Sequence, residues 1–310
     1  MPTIGFIGLG QMGHGMAASL LRSGNPLIVH DFREAAAADL VEGGATWASS
    51  PHEVAAASDV LFTSLPTPAV VEAIAYGADG VIEGLPEGAA WFDMSTNARD
   101  VVTKLHAVLA DRGIDFFDAP VSGGPAGAAS GKLAIWVGGD EAAFARYGGL
   151  LDHVADSVTR IGDIGAGTTA KLLHNVASAA INAVTAEVMS VGVKAGIEPA
   201  ALYEALRSGA AGRRRSFDAV APRFLAGKFD PPSFQLQLAY KDMGLARRLA
   251  QEVRVPVRMC DLVFDEISEA MNRGWGERDA QSSLLLQQER AGIEPIAIPA
   301  DVLDDIKNRT

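Results

Sequence analysis

Apolar and polar positions alternate in blocks through the first half of the chain. Thr3 to Gly8 is a short apolar run and reads as a buried strand. A glycine-rich turn follows, and Met12 to Ser23 has helical spacing closed by Gly24. Pro26 to Asp31 is a second apolar run. The opening segment is thus a strand–helix–strand unit, the crossover that parallel strands require. Further strands are expected at Val60 to Leu65, Ala90 to Met94, Asp115 to Asp118 and Leu133 to Val137. Helical stretches lie between them, notably Ala69 to Ala75 and Arg99 to Arg112. Such alternation predicts a doubly wound parallel sheet with helices on both faces.

The texture changes near Gly162. Ala166 to Ala195 is one long helical pattern without proline. Pro199 to Ser208, Ser216 to Leu225, Leu236 to Glu252 and Pro256 to Arg273 also read as helices. Strand-like alternation is nearly absent there. The expected class is α/β: an N-terminal doubly wound, Rossmann-type parallel sheet over 1–163, then an all-helical C-terminal domain over 164–300. Residues 301–310 read as a polar tail.

Composition narrows the function. With 310 residues, 48% apolar and 21% charged, the chain has material for a sizeable core. Its net charge of -12 repels phosphate backbones and argues against nucleic acid as a partner. A local basic pocket can still hold a small anion. Cys260 is the sole cysteine, so no disulfide forms within the chain and no cysteine-based zinc cluster is available. It reads as a small buried hydrophobe in a reducing cytoplasm. Met1-Pro2-Thr3 leads directly into a strand with no basic leader, and no apolar run reaches the length of a membrane span. A cytoplasmic location with no membrane partner is expected. No histidine–carboxylate cluster has ligand spacing, so no metal is expected.

The first chemical motif is Gly8-Leu9-Gly10-Gln11-Met12-Gly13. Glycine spacing alone is weak, but here it leaves a strand, opens a helix and sits in a strand–helix–strand unit. Gly8 permits the tight turn, Gly10 lets backbone N–H groups approach a pyrophosphate, and Gly13 lets the helix pack closely on the strand. The helix start adds partial positive charge. Asp31 ends the second strand, where a carboxylate accepts hydrogen bonds from ribose hydroxyls and repels a 2′-phosphate. NAD is therefore expected in preference to NADP, although the nearby Arg33 is able to reach a phosphate. Leu65-Pro66 and Ser95-Thr96 end later strands, where ligands bind in open α/β sheets, and are expected against the ribose and nicotinamide.

Asp118-Ala119-Pro120-Val121-Ser122-Gly123-Gly124 is a strand ending in a glycine-rich loop, either an anion-binding nest for a substrate carboxylate or a structural turn. Downstream, Lys171 and Asn175 share one helix face, with Thr168 about one turn earlier. Leu172 and Leu173 are expected in the core. The pattern leaves Lys171 as either a solvated charge or a buried amine whose lowered pKa suits proton transfer. Lys241-Asp242 reads as an exposed helical pair or a third polar island.

The ordered set GFIGLGQMGHGMA, DAPVSGGPAGAASGKL, GAGTTAKLLHN and LAYKD resembles the β-hydroxyacid dehydrogenase family, over about residues 3–290. That family includes 3-hydroxyisobutyrate dehydrogenase and tartronate semialdehyde reductase, and is related to 6-phosphogluconate dehydrogenase. The resemblance implies Lys171 as catalytic acid/base and Asn175 as its hydrogen-bonding companion on the substrate. It implies Ser122, Gly123 and Gly124 as substrate contacts, with Lys241 near nicotinamide and substrate and supported by Asp242. It also implies a homodimer or homotetramer and a small anionic hydroxy acid as substrate. His174 stands where many relatives carry asparagine, and reads as a packed or surface residue. Arg213-Arg214-Arg215 and the segment Gly274 to Asp279 depart from the familiar pattern. One of those arginines is able to grip a carboxylate or sulfonate, or the run is a solvated helix start. Two other functions fit less of the pattern: an imine or carbonyl reductase of the same fold, and a non-catalytic dinucleotide-binding module.

Overall fold

The computed structural model describes residues 1–194, 196–209, 219–252 and 258–308. The chain divides into two compact units, Met1–Leu172 and Leu173–Thr310. The division falls inside the helix Ala166–Lys194 and not in a loop.

The first unit holds nine strands: β1 (Ile4–Ile7), β2 (Leu27–His30), β3 (Thr46–Trp47), β4 (Val60–Thr63), β5 (Ala90–Asp93), β6 (Asp115–Asp118), β7 (Val121–Ser122), β8 (Leu133–Gly138) and β9 (Ala155–Gly162). Their order in one sheet is β3-β2-β1-β4-β5-β6-β8-β7, with β9 on β8. From β3 to β6 all pairs are parallel, which is the doubly wound dinucleotide-binding order. β1, β4 and β5 are buried on both faces, so they appear in the sequence as continuous apolar runs. Phe6, Phe62, Phe92 and Phe117 pair in register across four strands. Their successive ring centroids are 6.3, 5.4 and 4.4 Å apart, forming a stacked row under one face. Each such ring buried is worth about 2–3 kcal/mol. Ile7, Leu61, Trp91 and Phe116 fill the opposite face.

The sheet is not parallel throughout. β8 runs antiparallel to β6, and β7 antiparallel to β8. The reversal follows Gly123 and Gly124, at φ 138° and 63°, which turn the chain into the short helix Gly124–Ser130.

The second unit is helical: Pro199–Ser208, Leu236–Glu252, Arg258–Asn272, Leu285–Ala291 and Ala300–Asn308, besides the rest of the long helix. Of the helix expected at Ser216 to Leu225, Ala221–Leu225 is a π turn, and 216–218 lie outside the described residues. The expected start at Pro256 likewise lies outside them. Tyr203, Phe224 and Leu225 form one core with Met189 and Ile298, and Leu236, Met243, Val263 and Ile267 another. Cys260 is buried there, as a small hydrophobe should be.

The polar-tail reading of 301–310 is corrected. Ala300–Asn308 is a helix, and Leu303, only 5% exposed, joins the Phe224 cluster with Val302 packed against it. Among its described side chains, Leu303 and Val302 dock it, and the Leu303 N–H donates to the Pro299 carbonyl at 3.1 Å in its first turn. Among the described residues, no helix is long and apolar enough to cross a membrane.

Candidate active site

The glycine turn follows from close packing. A Cβ on Gly13 would lie 1.8 Å from the Gly8 carbonyl oxygen, so the helix Gly13–Arg22 rests against the end of β1 only with glycine there. Gly8 has φ 95°, and a Cβ on it would meet the Ser64 carbonyl at 2.4 Å. Gly10 differs: a Cβ there meets nothing within 4 Å, so its missing side chain leaves open space. Gln11 is exposed and Met12 half-buried. No side chain caps the helix Gly13–Arg22, and no acid sits in its first turn. A helix start without a side-chain cap, beside open space, fits the pyrophosphate of a dinucleotide.

Asp31 is buried and shapes this turn. Its Oδ2 accepts from the Leu9 N–H at 2.8 Å and its Oδ1 from the Arg33 N–H at 2.9 Å. Arg33 Nε lies 3.8 Å from Oδ1, and the Arg33 guanidinium sits over the exposed Phe32 ring at 5.3 Å.

The ends of β4 and β5 are tied by a polar network that sequence reasoning missed. Buried Asp93 accepts from Thr63 Oγ1 at 2.9 Å, Asn97 Nδ2 at 2.7 Å and the Ser95 N–H at 3.2 Å. Burial pushes its carboxyl above the usual range, and these donors oppose that push. Ser95 Oγ accepts from the Leu65 N–H at 2.9 Å. Leu65-Pro66 and Ser95-Thr96 are thus held as one rim at the carboxyl end of the sheet. The only sequence signal was an acid closing an apolar strand.

β6 closes on Asp118 in the same way, in register with Asp93. Its two oxygens accept from the Gly165 N–H at 2.7 Å and the Thr168 N–H at 2.6 Å, at the start of the long helix. Burial pushes the Asp118 carboxyl up to about 6, against the downward pull of those two N–H groups. Ser122 follows in β7 and is half-buried, and Gly123 and Gly124 begin the next helix. A Cβ on Gly15 would lie 2.8 Å from the Ala129 nitrogen, so the helix Gly13–Arg22 packs this closely on the helix Gly124–Ser130 only with glycine there. Lys171 is half-buried on the long helix. Leu172 is core, but Leu173 is 59% exposed, which corrects the expectation that both are buried. Successive helical residues point about 100° apart, and the second leucine has turned outward.

In the second unit, Asn175, Lys241 and Asp242 come together. Asn175 Nδ2 donates to Asp242 Oδ2 at 2.7 Å, and Lys241 Nζ lies 3.0 Å from Asp242 Oδ1. Because a carboxylate only accepts, the contact fixes which end of the Asn175 amide faces Asp242. The Asp242 side chain is 4% exposed, so this is not an exposed charge pair. The segment Gly274 to Asp279 caps the helix Leu236–Glu252: the Leu236 N–H donates to the Arg278 carbonyl at 2.9 Å and the Gln237 N–H to the Gly276 carbonyl at 3.0 Å. His174 is exposed, and Arg213-Arg214-Arg215 lie outside the described residues. Among the described residues, no group of three or more histidine, cysteine or acidic side chains is placed to hold a metal.

Comparison with known proteins agrees with this geometry. Residues 3–162 match the family model for the NAD binding domain of 6-phosphogluconate dehydrogenase. Residues 165–286 match the model described as NAD-binding of NADP-dependent 3-hydroxyisobutyrate dehydrogenase. The 2-(hydroxymethyl)glutarate dehydrogenase of Eubacterium barkeri is 34% identical over 290 residues, covering 94% of this chain and 96% of the relative. The NAD-dependent L-serine dehydrogenase of Pseudomonas aeruginosa is 34% identical over 284 residues, covering 90% and 95%. The crystal structure of 3-hydroxyisobutyrate dehydrogenase from Salmonella typhimurium aligns with a TM-score of 0.81 at 32% identity, over 92% of this chain and 99% of that one.

Proposed function

From the premise that the chain belongs to the β-hydroxyacid dehydrogenase family, whose members are NAD(P)-dependent oxidoreductases, we propose that it interconverts a small β-hydroxy acid and its semialdehyde with Lys171 as acid and base. The observation that carries this is a half-buried Lys171 one helical turn before Asn175, whose amide is oriented by Asp242.

In oxidation, neutral Lys171 takes the proton of the substrate hydroxyl while the carbinol C–H electron pair departs, and the C–O bond becomes a carbonyl. In reduction, the Lys171 ammonium polarises the carbonyl and returns the proton. Bound nicotinamide supplies the hydride chemistry that the side chains lack. Ser122 and the N–H groups at Gly123 and Gly124 are assigned to the substrate carboxylate, and Asn175 to the reacting oxygen. Lys241, held by Asp242, adds positive charge for an anionic substrate and the cofactor.

The cofactor is assigned as NAD. Buried Asp31 is the carboxylate assigned to the ribose hydroxyls; it repels a 2′-phosphate, and Arg33 lies against it at 3.8 Å. The assembly is assigned as a homodimer or homotetramer, consistent with exposed Leu173 and Ile181 on the long helix.

Lys171→Ala should lower turnover by about 10²–10⁴-fold while NAD binding persists. Steady-state rates on a panel of 3-hydroxyisobutyrate, L-serine, 2-(hydroxymethyl)glutarate and glycerate, with NAD and NADP, run beside a nucleotide titration. Undiminished turnover in the variant would reject the lysine assignment.

A further inference from the structure

Asp118 is a buried carboxylate that the proton transfer just described does not use. A helix start is ordinarily capped by a side chain immediately before it. Here the acceptor arrives from β6, 47 residues before Gly165 and 50 before Thr168. The long helix has no acid in its own first turn. The surroundings make room for this carboxylate. A Cβ on Gly138 would lie 2.3 Å from Asp118 Oδ1, and one on Gly167 would lie 2.4 Å from the Asp118 carbonyl oxygen. One side chain therefore joins the strand leading into Ser122 to the helix that carries Lys171.

We propose that Asp118 is a positioning residue: its ionised carboxylate fixes the first turn of the Lys171 helix against the end of β6, and its negative charge offsets the positive helix end on which Lys171 sits. The proposal rests on the reading of Lys171 as acid and base.

Two features favour an ionic role over a plain cap. A neutral cap would avoid the desolvation that pushes this carboxyl up to about 6, yet an acid stands there. An anion at a helix start also interacts favourably with the macrodipole, and removing it makes a cation in the next turn easier to deprotonate. Charged side chains near this helix start include Arg99, whose stem packs over Gly165, the Arg160–Asp163 pair at 3.0 Å, whose acid is 96% exposed, and buried Asp93, in register with Asp118 on β5.

Asp118→Asn keeps the shape, removes the charge and turns one acceptor into a donor facing an N–H. Turnover of the β-hydroxy acid should fall by about 10-fold or more, as for a small misplacement of a reacting group, while the KM for NAD is unchanged. In oxidation, the limb of kcat/KM that rises with pH should move about half a unit towards lower pH. A purely structural cap would lower stability and leave that limb in place, and this result overturns the proposal. Should the variant not fold, the wild-type amide proton resonances of Gly165 and Thr168 decide. They should titrate together near the carboxyl's own value, and a flat response overturns the proposal. Lys171→Ala is measured alongside. Retained turnover there overturns the reading of Lys171, whereas loss of turnover there with an unchanged Asp118→Asn profile overturns the Asp118 assignment alone.

Discussion

At the scale of single residues, buried carboxylates set the character of the first unit. For Asp118 the sign of the pH effect follows from its raised value. Between 3.8 and about 6 the folded chain holds a proton that the unfolded chain has released. The group's contribution to stability is thus complete below 3.8 and is lost as pH rises through about 6, a span of about 3 kcal/mol. Urea unfolding across that window should show wild type losing ground to Asp118→Asn as pH increases. Parallel curves for the two proteins would refute it. The place of Asp31 directly after β2 was legible because an apolar run ends there, whereas spacing alone left Lys171 either solvated or buried. The contacts of Asp118 with Thr168 and of Asp242 with Asn175 were not legible, because those partners lie 50 and 67 residues away along the chain. Only the fold brings such groups within hydrogen-bond distance, and no local periodicity encodes it.

Elements were legible in proportion to how apolar they are. The four strands bearing the phenylalanine row were found within a residue or two, since strands buried on both faces leave unbroken apolar runs. β3 and β7, of two residues each, are too short to show a period. β9 has a largely exposed and polar edge pattern, so nothing distinguished it from a loop. Within the glycine turn, spacing alone treats the three glycines alike, whereas the structure separates them. Gly13→Ala should cost about 3 kcal/mol or more, because its Cβ would collide with the Gly8 carbonyl. Gly10→Ala should leave the melting temperature unchanged and weaken dinucleotide binding by about tenfold, about 1.4 kcal/mol. Thermal unfolding and a nucleotide titration on both variants check this, and equal destabilisation by the two would contradict the geometry.

At the scale of the whole molecule, the change from alternating elements to helices alone was plain in the sequence. The division of the chain into units was less so, because it falls within a continuous helix that carries no turn signal. The last helix was missed because only a few apolar side chains dock it, and its charged residues dominate any local average. Truncation after Pro299 removes Leu303 from the Phe224 cluster. It should destabilise the second unit by about 2–4 kcal/mol while the first unit, with its own core, continues to bind nucleotide. Differential scanning calorimetry of the truncated chain would show an unshifted transition if that packing were incidental.

The grip of Asp31 on the Leu9 amide has a kinetic meaning. Its carboxylate oxygens have lone pairs to spare, so a ribose can join the contact without displacing the amide. Under the proposed NAD assignment, the Leu9 and Arg33 amides bonded to Asp31 would hold the loop in shape ahead of the nucleotide. Loading then resembles a key entering a cut lock, with little chain ordering to slow the encounter.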